Sequence, residues 1–206
     1  MKASPGWRLR VGMIATLLFA SAVAARAGEA TPPEPAGYWQ GPMLGKVPAT
    51  ITGGTAIGTD GLADMVRQDK PVLIDVVPAP RRPSDQSMPW MPMPHRNIPR
   101  SVWIPGAGAG VISAAMEDYF RARLTELTGG NLEKLIVLYC RPDCWASWNA
   151  AKHAIAEGYR RVYWYPDGVE AWQGAGLPTE TAAAEGPRCT VTGRPVNGAH
   201  ARRQET

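Results

Sequence analysis

Leu135-Ile136-Val137-Leu138-Tyr139-Cys140-Arg141-Pro142-Asp143-Cys144-Trp145 is the stretch on which the fold turns. An apolar run that stops at a cysteine predicts a buried parallel strand that carries a thiol at its C-terminal end. Ala146 to Glu157 are helix formers ending at Gly158, so a helix follows at once. A helix that begins just past a thiol aims its first N–H groups and the positive end of its dipole at the sulfur. That lowers a thiol pKa and builds an anion site from the same parts. Strand, cysteine loop and helix therefore describe a place for thiolate chemistry.

The alternation continues on both sides. Val162–Tyr165 is a strand beyond the helix, followed by Gly168-Val169-Glu170-Ala171-Trp172. Upstream, Val111 to Leu127 has helical spacing and closes on Gly129-Gly130. Val102-Trp103-Ile104 reads as a short strand and Val72–Val77 as a second buried one. Thr59 or Asp60 can cap a helix running to about Gln68, with Leu62, Met65 and Val66 on one face. Ile51 to Ile57, with Gly53-Gly54, reads as a weak edge strand. Strands alternating with helices imply a parallel sheet covered on both faces, with a ligand site at the strand C-termini.

Outside this pattern the chain changes character. Residues 28–50 are rich in proline and glycine and predict an extended N-terminal arm. Residues 78–99 hold seven prolines together with Met88, Met91, Met93 and His95, and predict a surface loop inserted in the domain. Methionines and a histidine can hold Cu(I), but prolines and apolar methionines in a loop also suit docking. Residues 181–206 are expected to be a disordered tail.

The first 27 residues form a leader pattern. Lys2, Arg8 and Arg10 are a basic start, Val11 to Ala24 an apolar stretch too short to span a bilayer, and Ala25-Arg26-Ala27 a small-residue cleavage site. Cleavage after Ala27 would send the chain to the periplasm and leave no membrane span. The leader holds four of the 22 basic residues and none of the 18 acidic ones, so the remaining chain is balanced at 18 of each. The apparent basicity is a targeting feature, and nucleic acid is not an expected partner. In an oxidising compartment Cys140, Cys144 and Cys189 are an odd number: one structural disulfide with a spare thiol, or a working dithiol.

Four segments together resemble the rhodanese family. Val72–Val77 resembles its Leu-Ile-Asp-Val strand, and Asn97-Ile98-Pro99-Arg100-Ser101-Val102-Trp103-Ile104-Pro105 its His-Ile-Pro-Gly-Ala segment. Tyr139-Cys140-Arg141 resembles the start of its catalytic loop. Glu157 to Tyr163, then Asp167 to Trp172 and Ala175 to Pro178, resemble its C-terminal signature. The resemblance covers residues 51–180. It implies a single α/β domain with a central parallel sheet of about five strands flanked by helices. It also implies sulfur transfer through a persulfide on Cys140, with loop N–H groups holding the anion and no cofactor.

The chain departs from that family at named positions. Arg100-Ser101 replaces Gly-Ala, Asn97 replaces the histidine, the loop has no glycine, and Trp145 stands where a substrate-binding cation is usual. An exported chain with Asp143-Cys144-Trp145 after its loop cysteine also resembles the PQQ-dependent catabolism-associated CXXCW proteins, although three residues separate its two cysteines. That implies service to quinoprotein alcohol oxidation, with a quinoprotein dehydrogenase or its cytochrome as partner beside a small sulfur donor or acceptor.

The candidate site is then Cys140 as nucleophile and Cys144 as resolving thiol, with Arg141, Pro142, Asp143 and Trp145 shaping the loop and meeting substrate. Cys144 competes with simple transfer, because it can convert a Cys140 persulfide to a disulfide and release sulfide. A static Cys140–Cys144 bridge would close too small a loop to stabilise much. A thiol–disulfide accessory and a non-catalytic binding module remain open beside the sulfurtransferase. Asp75 reads as a buried structural carboxylate, Trp148 as core, and Trp145 as a lid or partner contact. A zinc site from the three cysteines lacks known structural spacing, so no metal is assigned.

Overall fold

The computed structural model describes residues 31–80 and 93–187. The expected leader, Met88, Met91 and Cys189 lie outside the described residues. The chain divides into residues 1–30, not described, and residues 31–206, which hold everything below. Among the described residues no helix is long and apolar enough to cross a membrane.

Five parallel strands form the central sheet in the order β1 (Thr55–Ala56), β6 (Val162–Tyr165), β5 (Ile136–Tyr139), β2 (Val72–Asp75), β4 (Val102–Trp103). The expected α/β domain with a parallel sheet is what forms. The strand that ends at Cys140 lies at its centre, with Ile74, Leu138 and Trp164 in register. All four of its residues are buried, which is why the sequence there is uninterrupted apolar rather than alternating.

Side chains alternate across this sheet and divide the interior in two. Ile136, Leu138 and Cys140 face one layer with Phe120 and Leu124 of α2 (Ala114–Thr128) and Trp148 and Ala151 of α3 (Trp145–Ala156). Val137 and Tyr139 face the other with Leu62 of α1 (Thr59–Gln68) and Val169 and Trp172 of α4 (Gly168–Gly174). The parity of Cys140 therefore turns its thiol toward α3.

Several boundaries move from the sequence reading. α1 is capped by Gly58 without a side-chain bond, rather than by Thr59 or Asp60. α2 begins at Ala114, where Ser113 Oγ accepts from Met116 N at 3.2 Å, leaving Val111 outside and exposed. Residues 181–187 are not a loose tail. β7 (Glu180–Thr181) pairs antiparallel with β3 (Arg96–Asn97), Ala184 bridges Trp103, and Glu185 binds Arg123 at 2.7 Å. Arg100 keeps a left-handed backbone, φ 69°, where the family has glycine. Glu180 Oε1 holds it by accepting from its N–H at 2.7 Å.

Candidate thiol site

Helix α3 starts one residue earlier than its composition predicts. Trp145 is its first residue and Cys144 its N-cap. Cys144, rather than Cys140, thus sits at the positive end of the helix dipole. Cys140 lies beneath it at the end of β5, fully buried, and Cys144 is 2% exposed. Both are free thiols.

The sulfurs differ in environment. Cys140 Sγ lies 3.1 Å from Ser147 Oγ, 3.5 Å from the Cys144 carbonyl and 3.6 Å from the Arg141 carbonyl. Burial pushes its thiol well above the usual cysteine range, and the sulfur of Cys144 adds to the rise. Cys144 is lowered to about 7 by the hydrogen bond it accepts from Cys140. The N–H groups of Ala146 and Arg141 add to that lowering, and burial opposes it. The pair therefore favours the proton on Cys140 and the negative charge on Cys144.

Asp143 takes the turn that a glycine would otherwise make, at φ 50°. Gly168, at φ 71°, lets α4 pack against the loop: a Cβ there would lie 2.5 Å from the Arg141 carbonyl carbon. Val169 N–H then donates to the Cys140 carbonyl at 3.0 Å. Arg141, Pro142 and Asp143 form the exposed rim, where Arg141 pairs with Glu170 at 3.0 Å. A depression of about 380 Å³ opens there, lined by Leu44, Gly45, Arg141, Pro142, Asp143 and Glu170.

The N-terminal arm covers the loop. Met43 O accepts from Trp145 N–H at 2.8 Å, Gly45 N–H donates to Asp143 O at 2.8 Å, and Leu44 bridges Cys144 antiparallel. Trp39 stacks on Trp145 with ring centroids 4.2 Å apart. Buried Asn149 clasps the backbone of Trp39 from both sides, accepting from its N–H at 2.8 Å and donating to its carbonyl at 2.9 Å. Gly110 leaves room for this strap, since a Cβ there would lie 2.2 Å from Trp39 O.

The structure brings together Cys140, Cys144, Arg141, Pro142 and Asp143. Trp145 is 2% exposed beneath Trp39 and edge-on to Trp148, so it packs rather than faces substrate, and its N–H is taken by the arm. Trp39, Ser147 and Asn149 are site residues the sequence reading missed. A tryptophan in a proline-rich arm and an asparagine among the alanines of α3 were the available signals. Asp75 is bonded to backbone, accepting from Val77 N–H at 2.8 Å, and also from His95 Nε2 at 2.7 Å. Burial raises its carboxyl pKa, and the His95 bond opposes that. With His95 so engaged and stacked on Trp103, and Met93 exposed, the described part of the Met/Pro loop gathers no copper ligands. Among the described residues no group of three or more His, Cys, Asp or Glu could hold a metal.

The fold and loop define a class: an α/β domain that raises a cysteine pair from the C-terminal end of its central strand to a helix N-terminus. Residues 59–175 match the rhodanese-like domain, more than half of the chain, and the chain belongs to that family. No curated protein matches it. Among solved structures it is similar to a rhodanese-like domain of an Anabaena protein, at 18% identity over 73% of this chain and 95% of that one, TM-score 0.42. It is also similar to a 3-mercaptopyruvate sulfotransferase from Escherichia coli, at 18% identity over 64% of this chain, TM-score 0.44. A thiosulfate sulfurtransferase from Pseudomonas aeruginosa is similar at 15% identity over 64% of this chain, TM-score 0.42. This chain spans 53% of the Escherichia coli protein and 21% of the Pseudomonas one.

Proposed function

We propose that this chain handles sulfane sulfur through a persulfide on Cys140, in the periplasm after loss of residues 1–27. The observation that carries the reading is the position of Cys140 in a rhodanese-like domain, at the end of the central strand and hydrogen-bonded to a second thiol of lowered pKa. Passing the Cys140 proton to Cys144 along that bond leaves a thiolate on Cys140. It attacks the outer sulfur of a donor such as thiosulfate. A new S–S bond forms, the donor's S–S bond breaks, and sulfite leaves with the electron pair. Arg141 is the rim cation for such an anion. Its exposed pairing with Glu170 is worth little, so a donor can compete for it.

Two fates follow. An external nucleophile can take the outer sulfur and return Cys140 as thiolate. Alternatively Cys144 attacks the inner sulfur, the Cys140–Cys144 disulfide forms, and hydrosulfide leaves; a thiol reductant then resets the pair. The lowered pKa of Cys144 favours this second fate, and it equally supports a thiol–disulfide accessory acting on a partner protein. The Asp143-Cys144-Trp145 triplet, by its resemblance to the CXXCW proteins, supports service to a quinoprotein dehydrogenase or its cytochrome.

Mass spectrometry of the exported protein after incubation with thiosulfate tests the reading. The expected species starts at Gly28 and, in a Cys144→Ser variant, carries one extra sulfur on Cys140. Cys140→Ser should abolish loading. Equal loading of Cys140→Ser, or no loading of any variant, would overturn the persulfide.

A further inference from the structure

Ser147 stands in the first turn of α3, fully buried, with its hydroxyl oxygen 3.1 Å from Cys140 Sγ. Trp164, fully buried on β6, donates its indole N–H to the same oxygen at 3.0 Å. The other neighbours bonded to Cys140 Sγ through oxygen are the Arg141 and Cys144 carbonyls. A carbonyl only accepts, so both favour the protonated thiol and neither can hold a thiolate. Ser147 is different: its backbone N–H favours the charged sulfur, and its hydroxyl, which both accepts and donates, can add a second bond that only the side chain supplies.

The indole occupies one lone pair of the Ser147 oxygen and limits how the hydroxyl can turn. While Cys140 is protonated, the Ser147 proton can go to the Cys144 carbonyl, 3.4 Å away. When Cys140 loses its proton, the hydroxyl can turn and donate to the sulfur. In so dry a site one such bond matters more than it would in water.

We propose that Ser147 is a catalytic hydroxyl that donates to the ionised sulfur of Cys140, and that Trp164 is the positioning residue that holds it there. This deepens the sulfur-handling reading and rests on Cys140 being the sulfur that reacts. Other charged or titratable groups at this end of the sheet are Cys144, Arg141 and Asp143 of the loop, Asp167 and Glu170 at the start of α4, Tyr139 and Tyr165 at the ends of β5 and β6, and Asp75 with His95. All but Cys144 are left unchanged by the test.

The test follows the Cβ chemical shift of ¹³C-labelled cysteine against pH in Cys144→Ala/Cys189→Ser protein, where Cys140 alone titrates. Ser147→Ala should raise the Cys140 midpoint by about one unit, a tenfold loss of thiolate at fixed pH below it. Trp164→Phe, which keeps a ring and removes the N–H, should shift it the same way by less. A role in packing alone would lower the melting temperature and leave the midpoint in place. A midpoint unmoved by Ser147→Ala and by Trp164→Phe overturns the proposal, whatever the sulfur loading. The titration needs no sulfur donor. A shifted midpoint in protein that never loads sulfur would establish the bond to the ionised sulfur while removing the persulfide reading, and with it the catalytic role of Ser147.

Discussion

Asp143 and Arg100 both hold left-handed backbones without being glycine. Aspartate tolerates that region better than most residues, and Gly45 N–H holds its carbonyl. Arg100 has the higher cost, of order 1–2 kcal/mol, and depends on Glu180 to stay in place. Trp145 shows how far a single position can depart from its family. The sequence places it where a substrate cation is usual, and Trp145→Arg looks like a way to raise thiosulfate turnover. Burial of Trp145 between Trp39 and Trp148 leads to the opposite prediction. The substitution should place an unpaired charge in the core, cost on the order of 3 kcal/mol, and bring no gain in turnover. Thermal unfolding and a cyanide-trapping assay check both halves; a stable, faster Trp145→Arg protein would show that the indole sits over the substrate after all.

At the scale of elements, the arm at residues 38–45 covers the loop that carries the thiols. The Trp39–Trp145 stack is worth roughly 0.5–1.5 kcal/mol beyond its burial, so Trp39→Ala should raise the open population about two- to tenfold. The rate at which a small alkylating agent labels Cys144 in native protein should rise in proportion, and an unchanged rate would show that the arm does not gate the site. The strand, cysteine loop and helix were legible because their signals are in side chains: a continuous apolar run, a thiol, a row of helix formers. The arm was legible only as an extended segment. Part of its grip is the Trp39 ring and the Asn149 side chain; the rest comes from backbone groups such as Met43 O and Gly45 N, which leave no trace in residue type. β7 was missed for a similar reason, since two exposed residues carry no period. The sequence reading put the lowered thiol at Cys140, whereas in the structure burial raises Cys140 and it is Cys144 that is lowered. The largest causes, burial of Cys140 and the Cys140 thiol beside Cys144, are tertiary; the start of α3 at Trp145, which sets the smaller contribution of the Ala146 N–H, is one residue that composition does not resolve.

For the molecule as a whole, one sheet separates two interiors, and the odd–even parity of β5 assigns Cys140 to one of them. That much follows from a period of two and was available from the run Leu135–Tyr139 once its burial on both faces was recognised. The strap that completes the site instead joins residues 110 positions apart, Trp39 and Asn149. β1 closes nearly the same loop by pairing Thr55 with Tyr163, so length does not separate the two; the arm adds only a few bonds to a sheet already formed and is expected to dock last. A brief pulse of alkylating agent during refolding should therefore label Cys140 and Cys144 after the sheet has formed and before the arm docks; full protection appearing together with the sheet would place docking early. The consequence is one of timing. With residues 38–45 docking last onto the loop at residues 140–145, a newly made molecule would pass through an interval in which its sulfurs stand more open than in the finished fold. The company the chain keeps in that interval, a thiol reductant or a sulfur carrier, is then the first chemistry its cysteine pair meets.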